Sequence, residues 1–207
     1  MNIYRTKSEK ETRALARTFA RRLKGGDVLL LQGELGAGKT TFVKGLAEAF
    51  GIKEKIKSPT FVLMQVHRVA KGIEHRAKSR KQKTLRSKPY ALCYLVHADA
   101  YRVKSAGELM EAGLADWVGR PDALLMVEWG EKIKPLLRGK KYLTIKFKHG
   151  AMLTERIIAV SALASESSYL KILERTKGAW VKEPWDKVRT HRHKIELAAS
   201  AKRRSAG

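Results

Sequence analysis

The sequence predicts an α/β protein with a mixed, mainly parallel sheet flanked by helices, and three observations carry that prediction. The run Val28-Leu29-Leu30-Leu31 is short and continuously apolar, with glycines on either side, as in a strand buried on both faces. A glycine-rich loop and then an amphipathic helix follow it directly. A second run of the same kind, Ala123-Leu124-Leu125-Met126-Val127, ends at the acid Glu128.

Taken in order, Thr6 or Ser8 is placed to cap a first helix in which Leu15, Phe19 and Leu23 recur four apart. Gly25-Gly26 is expected to close that helix as a C-cap. The strand 28–31 leads into a loop over 33–38, and a second helix is expected over 39–50. It turns Phe42, Val43, Leu46 and Ala49 inward and stops at Gly51. The stretches 61–66 and 91–96 read as two more strands joined like a hairpin, with Cys93 as a packing residue. After 123–127, the stretches 142–147 and 156–160 read as a closing antiparallel pair. Near the end, 168–175 and 193–202 are candidate helices.

Among 207 residues, 44 Lys and Arg stand against 20 Asp and Glu, a net charge of +24. Such an excess points to a polyanionic neighbour, most often nucleic acid. The charge is uneven. The segment 68–88 has a balance of +8 and the segment 165–207 a balance of +6, so these two hold fourteen of the 24 excess charges. The expected organisation is a core domain over 1–164, carrying a basic insertion at 68–88, and a basic C-terminal extension over 165–207. One cysteine excludes an internal disulfide and a multi-cysteine zinc site. No apolar run reaches the roughly 18 to 20 residues of a membrane span, and the first ten residues lack a signal-peptide core, so a cytoplasmic protein without membrane contact is expected.

Gly33-Glu34-Leu35-Gly36-Ala37-Gly38-Lys39-Thr40 fits the phosphate-loop pattern G-x-x-x-x-G-K-[ST], set between a buried strand and a helix as its mechanism requires. Glycines let successive N–H groups point at phosphate oxygens, and the helix that starts near Lys39 adds about half a positive charge there. Lys39 is placed to reach the β and γ phosphates and Thr40 to take a magnesium position. The fold class is therefore P-loop NTPase-like. The loop alone does not choose among a kinase, a motor, a switch and an ATPase. Glu128 lies at the carboxyl end of a buried strand, where open parallel sheets bind ligands, and can hold magnesium through water or orient the attacking water. Asp99 shares a strand face with His97 and Tyr101 in His97-Ala98-Asp99-Ala100-Tyr101-Arg102; a turn or cap role is the alternative. Ser58-Pro59-Thr60 reads by itself as a turn with hydroxyl caps, in a position that also suits a loop sensing the γ-phosphate.

Those pieces in that order resemble the bacterial TsaE (YjeE) family. The resemblance rests on 33–42, on Lys57-Ser58-Pro59-Thr60-Phe61, on 97–102 and on Val127-Glu128-Trp129, and covers roughly residues 5–160. It implies a small P-loop ATPase of the machinery that places threonylcarbamoyl on an adenosine beside the tRNA anticodon, working with ATP and Mg2+. Gly33, Glu34, Leu35, Gly36, Ala37, Gly38, Lys39, Thr40 and Thr41 would bind the nucleotide phosphates. Thr40, Glu128 and Asp99 would serve the metal, with Lys39, Asp99 and Glu128 as the catalytic set. Ser58 and Thr60 would form a switch-like loop. Trp129, Thr12 and Arg156 would line the nucleotide site; without the resemblance they read as a core aromatic, an exposed helix residue and a sheet-surface charge. The resemblance also implies TsaD and TsaB homologues as partners, which carry the transfer chemistry, and tRNA contacted directly or through them. A lone P-loop with no arginine finger hydrolyses slowly, and a completing partner is worth about 10³ to 10⁵ in rate.

The insertion and the extension suit a phosphate backbone, bound without sequence readout, or an acidic partner surface. Trp180 and Trp185 in the extension are expected to pack on the core or stack on bases. Two rivals remain from the residues alone: a small-molecule or nucleoside kinase using the insertion as a lid, and a nucleic-acid-binding module with an idle P-loop.

Overall fold

In a computed structural model, which describes residues 1–73, 91–162 and Trp185, the chain builds one seven-stranded sheet with helices on both faces. The strands are β1 (Asn2–Thr6), β2 (Val28–Gln32), β3 (Met64–Ile73), β4 (Leu92–Asp99), β5 (Ala123–Glu128), β6 (Leu143–His149) and β7 (Arg156–Ala162). Their order across the sheet is β1-β7-β6-β2-β5-β4-β3. The central strands β6, β2, β5 and β4 run parallel, while β3 and β7 are antiparallel to their neighbours. Because β1 reverses again against β7, five of the seven strands share one direction. The mainly parallel sheet expected from the sequence is what forms.

Helices α1 (Glu9–Ala20) and α2 (Lys39–Ala49) cover one face. Leu29, Leu31, Leu95, Leu124 and Met126 pack there with Phe19, Phe42 and Leu46. The alternate residues Val28, Leu30, Val96, Leu125 and Val127 pack on the other face, against α3 (Ala106–Glu111) and two 3-10 segments, Leu114–Trp117 and Gly130–Leu137. Both faces of β2 and β5 are thus buried, which is why their sequences are apolar throughout rather than alternating. Tyr4, Phe19, Phe42 and Phe147 form a chain of edge-on ring contacts at 5.7, 5.8 and 5.7 Å. That chain ties β1 and β6 to both helices, with the geometry that ring quadrupoles favour.

Several boundaries differ from the sequence reading for physical reasons. Helix α1 is capped by Ser8, whose hydroxyl accepts from the Glu11 N–H, but it ends at Ala20 instead of at the glycine pair. Leu23 stays in the core from a turn in which its N–H reaches the Phe19 carbonyl. Gly25 has a different task. A Cβ there would lie 1.8 Å from the Pro121 carbonyl oxygen, so the glycine admits the β4–β5 connection. The strand expected at 61–66 begins only at Met64. Leu63 has φ +62° and the Val62 N–H turns back to Pro59, which leaves Phe61 and Val62 exposed in a turn. Strand β1 and helix α3 had no sequence expectation at all.

The pair β3–β4 is the antiparallel hairpin expected around the basic insertion, and β6–β7 the expected closing pair. Arg68 is in β3, whereas the insertion from residue 74 onward lies outside the described residues, as do the two candidate tail helices and Trp180. Trp185 packs on the core. Its ring lies against Ile3, Ile157 and Ala159, and the Lys148 ammonium sits 4.3 Å from the ring centroid while donating to the Trp185 carbonyl at 3.2 Å. Among the described residues, no helix is long and apolar enough to cross a membrane.

Candidate nucleotide site

Register brings the candidate residues to one edge of the sheet. Leu31 at the end of β2 pairs with Glu128 at the end of β5, and Glu128 pairs with Asp99 at the end of β4. Leu95 and Met126 face α2, so two-residue alternation turns His97, Asp99 and Glu128 to that same face. Beyond Gln32 the chain enters the glycine loop and returns as α2. A loop, a helix start and two carboxylates therefore meet where parallel strands end.

The loop is held open by glycine chemistry at two points. Gly33 has φ +143°, and a Cβ on it would lie 2.5 Å from the Phe147 carbonyl oxygen, so only glycine lets the loop start this close to β6. Gly38, at φ +102°, is the N-cap of α2 and offers no side-chain cap, which leaves the first-turn N–H groups for an anion. Both features fit a phosphate chain. Lys39 is buried at 4% exposure, and its ammonium donates to the carbonyls of Gly33 at 2.7 Å and Glu34 at 2.9 Å. It also lies 4.5 Å from the centroid of the Trp129 ring. Burial pushes the Lys39 ammonium below its ordinary value, while the carboxylates of Glu128, Asp99 and Glu131 act in the opposite sense. Trp129 adopts the left-handed conformation, φ 57° and ψ 36°, directly after β5, and its ring meets Tyr101 at 5.1 Å. Strain of this kind in a bulky residue is typical of functional sites.

Two hydrogen-bond groups join the loop to the strand ends. The Thr40 hydroxyl donates to Oε1 of Glu128 at 2.7 Å, and Nε2 of His97 is 3.0 Å from that same oxygen. Oδ2 of Asp99 accepts from Ser58 at 2.6 Å and Thr60 at 2.5 Å, and its Oδ1 accepts from the Tyr101 N–H at 2.8 Å. The turn reading of Ser58-Pro59-Thr60 and the switch reading are thus compatible: the turn aims both hydroxyls at a strand-end carboxylate. Between these groups and the loop is a cavity of about 300 Å³ bordered by Gly36, Gly38, Lys39, Thr40, Ser58, Thr60, Asp99, Glu128 and Trp129. Leu35 and Thr41 border it too. The oxygen-rich set of Thr40, Asp99 and Glu128 has the hard-donor chemistry that suits Mg2+ bound together with phosphates.

The remaining sequence candidates take different places. Glu34 is exposed at the loop tip and Ala37 is buried in the core beneath it. Arg156 reaches from β7 to the loop, its Nη2 donating to the Gly36 carbonyl at 3.1 Å and Nη1 to those of Leu153 and Glu155. Burial lowers its ordinary value. Thr12 does not border the cavity, and it is not exposed either. It lies on the buried face of α1, where its hydroxyl pairs with that of Thr6 at 2.8 Å and donates to the Ser8 carbonyl at 3.2 Å. The sequence reading gave no site role to Tyr101, Arg102 or Phe61, which border the cavity, or to His97 behind it. All except Phe61 fall within 97–102, and the period-two spacing from Asp99 was the available signal for His97.

The family described as "Threonylcarbamoyl adenosine biosynthesis protein TsaE" matches residues 6–158. The chain belongs to the TsaE family. Among curated relatives, "tRNA threonylcarbamoyladenosine biosynthesis protein TsaE" of Streptomyces coelicolor is 38% identical over 134 residues, covering 64% of this chain and 77% of that one. The protein of that name in Rickettsia felis is 30% identical over 193 residues, covering 92% of this chain and 97% of its own, so the similarity runs past the span matched by the family. The crystal structure of Bacillus subtilis YdiB is similar with a TM-score of 0.58 and 28% identity, covering 82% of this chain and 92% of that one. Membership of the TsaE family places this chain in tRNA threonylcarbamoyladenosine biosynthesis, on a P-loop fold.

Proposed function

We propose that this chain binds ATP with Mg2+ at the loop over 33–41 and hydrolyses it in complex with TsaD and TsaB homologues, supporting turnover of the tRNA-modifying complex in the cytoplasm. The observation that supports this best is the meeting of Lys39, Thr40, Asp99 and Glu128 at one cavity on the carboxyl edge of the sheet, in a TsaE-family chain. Lys39 exchanges its two loop carbonyls for phosphate oxygens, and the α2 N–H groups bind the same anion. Thr40, Asp99 and Glu128 would hold a magnesium ion, whose positive charge would offset the charge that builds on the phosphates. Glu128 and Asp99 also orient the attacking water. Ser58 and Thr60, bonded to Asp99, tie the turn to the state of that carboxylate.

Where two of the arginines lie supports dependence on partners. The Arg102 guanidinium stacks on Phe61 at 4.3 Å, and that of Arg156 is bonded to carbonyls. Among the described residues both are engaged within the chain, which favours a partner as the source of further positive charge for the transition state, with a gain of about 10³ to 10⁵ in rate. The core domain over 1–164 does this work, and the basic insertion and extension contact tRNA or the assembled complex.

The test is ATP turnover by the purified protein, alone and with TsaD and TsaB homologues from the same cell, with Lys39→Ala as the blank. Stimulation that vanishes in the blank is the expected result. Turnover indifferent to the partners would return the kinase and stand-alone ATPase readings to the front, and phosphate passed to a small acceptor would favour the kinase.

A further inference from the structure

We propose that His97 is a positioning residue for this site: its Nε2–H fixes the Glu128 carboxylate so that Oε2 is the oxygen left to the metal and the attacking water. The inference rests on the ATPase reading above. His97 is fully buried and Glu128 nearly so, at 0% and 3% exposure. Oε1 of Glu128 receives two donors from two different elements, the Thr40 hydroxyl at the start of α2 and the His97 ring on β4. Oε2 has no hydrogen-bond partner among the described residues, in a side chain that borders the cavity. One carboxylate oxygen is therefore engaged on the protein side, and the other is available on the reaction side.

The ring itself is constrained to this task. Oε1 of Glu128 already acts as an acceptor toward Thr40, so the contact at 3.0 Å is a hydrogen bond of the same sense when the proton is on Nε2. Nδ1 is buried and meets no hydrogen-bond partner among the described residues, which suits a bare lone pair better than an N–H. His97 lies between Gln65 of β3 and Met126 of β5 in the ladder, so its backbone is fixed from both sides. Such a partner, one step removed from a metal, typically governs metal affinity or activity by about 10- to 100-fold.

The experiment compares His97→Leu, which keeps bulk without a donor, with His97→Gln, whose amide N–H stands near the Nε2 position. Both are read in the full chain. With TsaD and TsaB homologues, kcat and KM for ATP are measured; without them, Mn2+ binding in the presence of a non-hydrolysable ATP analogue is followed by electron paramagnetic resonance. His97→Leu is expected to lower kcat and weaken Mn2+ binding about 10- to 100-fold with KM little changed, and His97→Gln to recover most of the loss. Wild-type kcat and Mn2+ affinity in His97→Leu overturn the proposal, as does a His97→Gln variant equally impaired at an unchanged melting temperature. Should both variants misfold, 15N–1H correlation of the wild-type histidines decides: an Nε2–H tautomer for His97 supports the role and an Nδ1–H tautomer overturns it. If the wild-type complex shows no Lys39-dependent turnover, the ATPase reading fails by itself. The Mn2+ titration still scores His97 in that case.

Discussion

Replacing Gly33 by alanine tests whether the phosphate loop owes its shape to close packing on β6. The added Cβ would stand 2.5 Å from the Phe147 carbonyl oxygen and 3.1 Å from its Cβ, at φ +143°. Backbone strain at such a φ costs about 1–3 kcal/mol. Moving the β6 backbone aside costs about 1–3 kcal/mol more, because Phe147 also packs edge-on against Phe42. Together these come to about 2–6 kcal/mol. Gly139→Ala is the matched control: it has φ +73°, with nothing within 4 Å of its Cβ, so it bears strain alone, about 1–2 kcal/mol. For a chain of this length, each kcal/mol moves the melting temperature by about 2–4 °C, so calorimetry resolves the two variants. The loop that starts at Gly33 also presents Lys39 and the first N–H groups of α2 to the nucleotide, so its displacement is expected to weaken binding of a fluorescent ATP analogue by about tenfold or more, roughly 1.4 kcal/mol. Gly139→Ala leaves binding unchanged. If Gly33→Ala melts with Gly139→Ala and binds normally, the packing argument is wrong.

Trp185→Ala is expected to destabilise the fold by about 2–3 kcal/mol, less than a fully buried tryptophan because the ring is only half-buried, and thermal melts of the full chain measure it. No change in melting would mean that the packing of Trp185 on β1 and β7 contributes nothing to stability. Glu155 gives a pH signature. Burial pushes its carboxyl up, but the N–H groups of Ala151 and Met152 and the Arg5 guanidinium at 2.8 Å outweigh that and hold it below 4.5. Its contribution to stability is therefore full above pH 4.5 and is lost as pH falls below that through the lowered folded value; Glu155→Gln should flatten this part of the stability curve. Combining Ser58→Ala with Thr60→Val removes both hydroxyls from Asp99 and should speed amide hydrogen exchange over 58–63, with protection in β5 unchanged.

The sheet edge and the loop were legible because their signals are local. A strand buried on both faces has to be apolar throughout, and a phosphate loop has to combine glycines, a lysine and a hydroxyl at fixed spacing. Lys39, Thr40, Asp99 and Glu128 were each singled out from such local signals, and the structure brings the four to one cavity. Boundaries set by contact with distant chain were not. Gly25 looked like a helix cap and serves the approach of Pro121; Phe61 and Val62 looked like strand and are turned out by the left-handed Leu63. Strand β1 has no pattern of its own strong enough to read, since it exists by pairing with β7 at the far end of the described chain.

By itself the sequence determined the chemistry available: a P-loop on a mainly parallel sheet, two strand-end acids, a hydroxyl turn and a large net positive charge. Tertiary structure decided who meets whom. It set Leu31, Glu128 and Asp99 in adjoining register, turned the Ser58 and Thr60 hydroxyls onto Asp99, kept Thr12 away from the cavity, and put His97 and Thr40 on the same oxygen of Glu128. The physical reason is range. Periodicity and glycine patterns report forces between near neighbours in the chain, whereas hydrogen bonds between residues 31, 39, 41 or 88 positions apart exist only once the ladder fixes their distance.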